Sequence, residues 1–124
     1  MNLLKEKEIF IDDSKIYLKI FRLYKSYLLL ISDQKEMGIG NVTLGSPPMT
    51  EGLKSISSTY NLFGLEKKLL STMIAERASQ VLKAPVLLLF FLKKRNKEKG
   101  IVKPLIELLN ETLNEIENEN KGSN

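Results

Sequence analysis

Five groups of residues have types and spacings that could do chemistry. Asp12 and Asp13 are adjacent carboxylates, the raw material of a metal or general acid–base site. Gly38-Ile-Gly-Asn-Val-Thr-Leu-Gly45 has glycines where backbone could approach a phosphate. Ser55, Ser57, Ser58 and Thr59 offer hydroxyl nucleophiles. Lys93, Lys94, Arg95, Lys97 and Lys99 form a basic run suited to phosphate backbones or an acidic protein surface. Glu107, Glu111 and Glu115 are spaced by four, which on a helix makes an acidic row.

Local context turns most of these toward structure. Adjacent residues on a strand point to opposite faces, so Asp12 and Asp13 do not converge, and Asp12-Asp13-Ser14 reads as a turn. The glycine segment lacks the Gly-Lys-Ser/Thr ending of a phosphate-binding loop, and Pro47-Pro48 bars the helix that a dinucleotide fingerprint needs. The hydroxyl cluster has no histidine to act as base and no Gly-x-Ser-x-Gly elbow. No aromatic residue follows Phe91 within the basic run, so it has no stacking platform and reads as a solvated loop. The glutamates repel one another mildly and read as a solvated helix face that could meet a basic partner.

Composition narrows the chemistry further. The 124-residue chain has no cysteine and no histidine. That excludes a disulfide scaffold, thiolate or imidazole zinc sites, a Ser-His-Asp triad and a cysteine nucleophile. Net charge is +4, with a basic block at 93–103 beside an acidic block at 107–121. The longest apolar run, Ala84 to Leu92, is far short of the roughly 20 residues of a membrane-spanning helix. The first ten residues do not read as a signal peptide. A soluble intracellular protein is expected.

The elements that must position these residues fall into strands, then helix, strand, helix. Glu8–Asp12, Lys15–Tyr24 and Tyr27–Ile31 read as an antiparallel meander. In the second strand Ile16, Leu18 and Ile20 alternate with Tyr17, Lys19 and Phe21. The third is a continuous apolar run, which predicts a central strand covered on both faces, and Val86–Leu92 reads the same way. Ile39–Leu44 is a short strand with glycines at sites of bulging or close approach. The Ser/Thr-rich Leu53–Asn61 is a strand near an edge. Leu65–Leu82 predicts a helix burying Leu65, Leu69, Leu70, Met73, Ile74, Ala78, Val81 and Leu82. A second helix opens at Pro104 and runs to Glu117, burying Leu105, Leu108, Leu109, Leu113 and Ile116. The expected architecture is a single α+β domain over 1–117, an antiparallel sheet of five to six strands packed by two helices, with a flexible tail at 118–124.

One ordered set of motifs goes further. Leu28-Leu-Leu-Ile31 leads to Gly40-Asn-Val-Thr-Leu44, then Ser58-Thr59, Leu62 and Gly64. A helix with Ala75-Glu-Arg77 follows, and then Ala84-Pro-Val-Leu-Leu-Leu-Phe90 and a final acidic helix. Between Phe21 and Glu117 this order resembles the proteasome assembly chaperone 4 family. Ile74-Ala-Glu-Arg77 stands where that family has a Leu-Ala-x-Arg-like stretch, and Pro47-Pro48 and the basic loop depart from its pattern. The resemblance implies a non-catalytic protein that pairs, through sheet and helix surfaces, with a related small chaperone similar to proteasome assembly chaperone 3. It implies that the heterodimer binds α-type 20S subunits early in α-ring assembly and leaves as the ring matures. No cofactor, metal or membrane is implied.

Ser58, Thr59 and Tyr60 near the expected edge, with Lys94 and Arg95 of the basic loop, are the candidate partner-binding residues. Two other classes stay open. One is a trafficking or signalling adaptor of roadblock or longin type, which combines the same element kinds. The other is a nucleic-acid binder using Lys93–Lys99, the less favoured for want of aromatics; it predicts a steep loss of affinity with salt.

Overall fold

The computed structural model describes residues 1–11, 13–38, 40–47, 56–61, 68–93 and 98–122, with backbone alone at 56–61, 68, 98, 99 and 122. The elements are β1 (Asn2–Ile11), β2 (Ser14–Leu23), β3 (Ser26–Ser32), β4 (Asn41–Ser46), β5 (Ile56–Asn61), α1 (Lys68–Leu82), β6 (Val86–Phe91) and α2 (Glu98–Gly122). They form an α+β domain with one six-stranded sheet in the order β1-β2-β3-β6-β4-β5.

The first three strands form the expected meander, but β1 begins at Asn2 rather than at Glu8, because residues 2–7 also pair with β2. β1 pairs with β2 from Asn2↔Arg22 to Ile11↔Ser14, with a bulge between Leu3 and Lys5. The β2–β3 turn puts Lys25 in the left-handed region at φ 52°. β6 then enters the sheet between β3 and β4. It runs antiparallel to β4 but parallel to β3, so one pairing departs from the antiparallel pattern expected from sequence. The chain reaches β6 from the end of α1, and Tyr27 N–H donates to Pro85 C=O at 3.0 Å as the strands begin side by side. A parallel neighbour requires a long crossover, here β4, β5 and α1.

Both helices pack on one side of the sheet. Their joint core contains Ile16, Leu18 and Ile20 of β2, Leu29 and Ile31 of β3, Leu88 and Phe90 of β6, and one stripe from each helix. The α2 stripe is the expected one: Leu105, Leu108, Leu109, Leu113 and Ile116 are all buried. The α1 stripe differs. Leu70, Ile74 and Ala78 are buried, but Leu69 is 70% exposed and Met73 43%. Ser71, Ala75 and Ser79 are buried instead. The reason is close approach to β4: a Cβ on Gly45 would stand 2.5 Å from the Ala75 carbonyl oxygen. Small residues on α1 and a glycine on β4 let the helix lie against the strand, which rotates Leu69 and Met73 outward.

The second helix is longer than the 104–117 span expected from sequence. It begins at Glu98 because Ile101, only 1% exposed, already packs in the core. Pro104 therefore sits inside the helix, where it removes one hydrogen bond, and the residue four positions back is Gly100. At the other end helical residues continue through 118–122, held by side-chain bonds described below.

Candidate functional site

The interior strands alternate as a sheet must, and the two sides meet different surroundings. On the helix side the side chains are buried, except Arg22 near the end of β2. On the other side Phe21, Leu28, Leu30, Leu87, Leu89 and Val42 are half-buried, and Leu44 is 46% exposed. The register makes these neighbours. Phe21 stands opposite Leu28, Leu28 beside Leu87, Leu87 beside Leu44, Leu30 beside Leu89, and Leu89 beside Val42. A contiguous aliphatic surface thus crosses β2, β3, β6 and β4. Among the described residues, no element covers it. The expectation that β3 and β6 are covered on both faces is corrected for the described residues: among them only the helix side is covered, and the other side is half-buried.

The surface has a charged border. On β1 and β2 the same open side carries ion pairs, Lys15 to Glu8 at 3.0 Å and Lys19 to Glu6 at 3.8 Å. The Lys15 ammonium also lies 5.5 Å and 5.6 Å from the ring centres of Phe10 and Tyr17. Its hydrogen bond to Glu8 holds its pKa above the ordinary lysine value. Phe10 is 71% exposed. An apolar centre bordered by charges and aromatics is the anatomy of a protein-interaction surface.

Charges on the helix side do a different job. Lys5 Nζ donates to Glu119 Oε1 at 2.7 Å and to Glu115 Oε1 at 3.4 Å. Lys7 Nζ lies 2.9 Å from Glu115 Oε2. Arg22 Nη2 donates to Asn120 Oδ1 at 2.7 Å. These contacts pin the last turns of α2 to β1 and β2. The hydrogen bond from Lys7 is the main cause that depresses the Glu115 pKa, and the bond to Glu119 is the main cause that raises that of Lys5. Glu107 and Glu111 are solvated as expected, but Glu115 is not free: it belongs to this clamp. A second clamp joins the helices, with Arg77 Nε donating to Asn110 Oδ1 at 3.0 Å.

The candidate partner-binding residues fall in two places. Ser58, Thr59 and Tyr60 lie in β5, the last strand of the sheet, opposite Leu44, Thr43 and Val42 of β4. Lys94 and Arg95 lie outside the described residues, as do Asp12, Ser55, Leu62, Gly64 and Leu65. Sequence reasoning did not single out Leu28, Leu30, Leu87 and Leu89 as a surface. Their signal is the unbroken apolar runs of β3 and β6, which the sequence pattern reads as central strands covered on both faces. Asp33 was also passed over. Its carboxylate accepts the Lys93 N–H at 2.8 Å and its own N–H donates to the Phe91 carbonyl at 3.3 Å, tying the ends of the parallel strands.

Among the described residues no three Asp or Glu side chains cluster as metal ligands. A shallow depression lined by Gln34, Lys35, Glu36, Phe91 and Lys93 is open to solvent. Among them, too, no helix is long and apolar enough to cross a membrane.

No protein-family model matches the sequence, and no curated protein matches it. Its structure does have a counterpart. A chain from the crystal structure of a chaperone complex for yeast 20S proteasome assembly superposes with a TM-score of 0.60. The match covers 96% of this chain and 98% of that one, at 12% sequence identity. At that identity the likeness defines the fold class: this chain is built like a component of a proteasome assembly chaperone complex.

Proposed function

We propose that this protein is a non-catalytic proteasome assembly chaperone. It pairs with a related small chaperone, similar to proteasome assembly chaperone 3, and the pair binds α-type 20S subunits to promote α-ring assembly. It acts where proteasomes are built, in the cytoplasm and nucleus, and needs no cofactor. The open aliphatic face carries this assignment. Four half-buried leucines, a half-buried valine and the exposed Leu44 stand side by side on a face that no described element covers, the kind of apolar patch that marks an interaction site. The likeness to a chain from a chaperone complex for yeast 20S proteasome assembly supports the kind of partner. The ordered sequence motifs from Leu28 to Phe90, which resemble the proteasome assembly chaperone 4 family, support it as well.

The physical task is templating. A subunit surface that would otherwise bind wrong neighbours is held in order and shielded until the right one arrives. The helix side is already closed by α1 and α2, so pairing uses the open face, and the helices and loops remain for the subunits.

The test is affinity capture of the tagged protein from its own cell lysate at moderate and high salt, with mass spectrometry. The expected result is a second small protein together with α-type proteasome subunits, retained at high salt because aliphatic burial is not screened. Recovery of small GTPases instead would favour a trafficking adaptor. Salt-labile nucleic acid without proteasome subunits would favour the nucleic-acid alternative. Either result overturns the proposal.

A further inference from the structure

The sheet has two ends, β1 and β5, and they are not equivalent. Among the described residues no strand pairs with the outer side of either end strand, and outward N–H and C=O groups make such a strand a template for another. Two copies of a protein join such edges antiparallel about a two-fold axis perpendicular to the sheet. That axis keeps the helix sides together, so residues facing across the seam come from the same side of each sheet.

For β1 this rule is prohibitive. Lys5 and Lys7 lie on the helix side, as their bonds to α2 show, and Glu6 and Glu8 lie on the open side, as their pairs with Lys19 and Lys15 show. Across any such seam in this stretch lysine meets lysine and glutamate meets glutamate. The bulge between Leu3 and Lys5 distorts the edge further. For β5 the rule is permissive. Ile56-Ser-Ser-Thr-Tyr-Asn61 has no charge, no proline and no glycine, and its six-residue ladder with β4 has no register shift. Among the described residues no strand lies beyond it.

We infer that β5 is a docking edge for β5 of a second copy of this chain, antiparallel and centred on Ser58. In that register Ile56 stands opposite Tyr60 of the copy and Ser57 opposite its Thr59, each pair occurring twice. Aromatic–β-branched and Ser–Thr pairs are among the favourable cross-strand combinations. Ile56 and Tyr60 are opposite Ser46 and Val42 of β4, so the open sides of the two sheets run on into each other across the seam. The joint does not depend on open-face pairing, and it doubles the number of such faces in one assembly.

Sedimentation of the full-length protein over a wide range of concentration tests this. The wild type is expected to show a monomer–dimer equilibrium. Thr59→Pro, which removes a backbone donor, and Ser58→Lys, which sets two like charges on the axis, are each expected to weaken it at least about tenfold. Ser58→Lys mixed with Ser58→Glu is expected to restore a dimer, which a merely unfolded variant cannot do. Leu89→Asp, on the open face, is expected to leave this dimer intact. A wild type that stays monomeric overturns the inference. So does a dimer that survives both edge variants, or one that Leu89→Asp abolishes, since it then belongs to the open face.

Discussion

Leu88 and Leu89 are neighbours in β6, identical in side chain and opposite in fate. Leu88 is fully buried under the helices and Leu89 is half-buried on the open side. The same contrast runs through Leu29 against Leu28 and Ile31 against Leu30. Ordinary half-exposed sheets alternate apolar with polar residues, so that the solvated side can be recognised. Here both sides are aliphatic in the central strands, and only the border strands β1 and β2 alternate with charge. A side as apolar as the core, which no described element covers, is the surface that the proposed pairing would bury.

The strongest way to break the comparison is to put a charge on the covered side. Leu88→Asp buries an unpaired carboxylate in a central strand and is expected to cost 4 kcal/mol or more, about enough to unfold the domain. Chemical denaturation would show it, and an unchanged midpoint would misplace β6. Next in size is the close contact between α1 and β4. Gly45→Val drives a side chain into the Ala75 carbonyl and is expected to cost about 1–3 kcal/mol, measured the same way.

A smaller effect separates the two charged borders. The folded pKa of Glu115 is depressed, so its contribution is present above the ordinary glutamate value and is lost as pH falls through the folded value. That of Lys5 is raised, so its contribution is present below the ordinary lysine value and is lost as pH rises through the folded value. Thermal melts are therefore expected to weaken at the acid end, and Glu115→Gln is expected to flatten that loss. Glu6→Gln, whose ion pair lies at 3.8 Å on the open side, is expected to leave the profile nearly unchanged.

How far these features were legible follows from their range. The α2 stripe, the meander and the edge position of β5 came from local periodicity and composition, which strands and helices express directly. The parallel β3–β6 pair did not, because which strand a crossover returns to is a tertiary choice. The α1 face was misread at Leu69 and Met73 because apolar spacing outvoted Ser71, Ala75 and Ser79, whose value lies in being small beside Gly45. The clamp formed by Glu115, Lys5 and Lys7 joins residues about 110 apart in sequence, beyond any local pattern. The open face was visible as apolar runs, but a single chain cannot say whether its cover lies in the same molecule.

Leu89→Asp has a far smaller expected effect on folding than Leu88→Asp, about 1 kcal/mol, because no described element covers its side of the sheet and the carboxylate reaches water. It is also the most direct test of the central claim. Its melting temperature and its capture of partners from lysate should be measured together, beside the wild type. The account predicts a melting temperature close to that of the wild type with the small chaperone and α-type subunits lost. Capture undiminished in a folded variant, or collapse of the isolated domain on a par with Leu88→Asp, would contradict the assignment of the open face as the partner-binding surface.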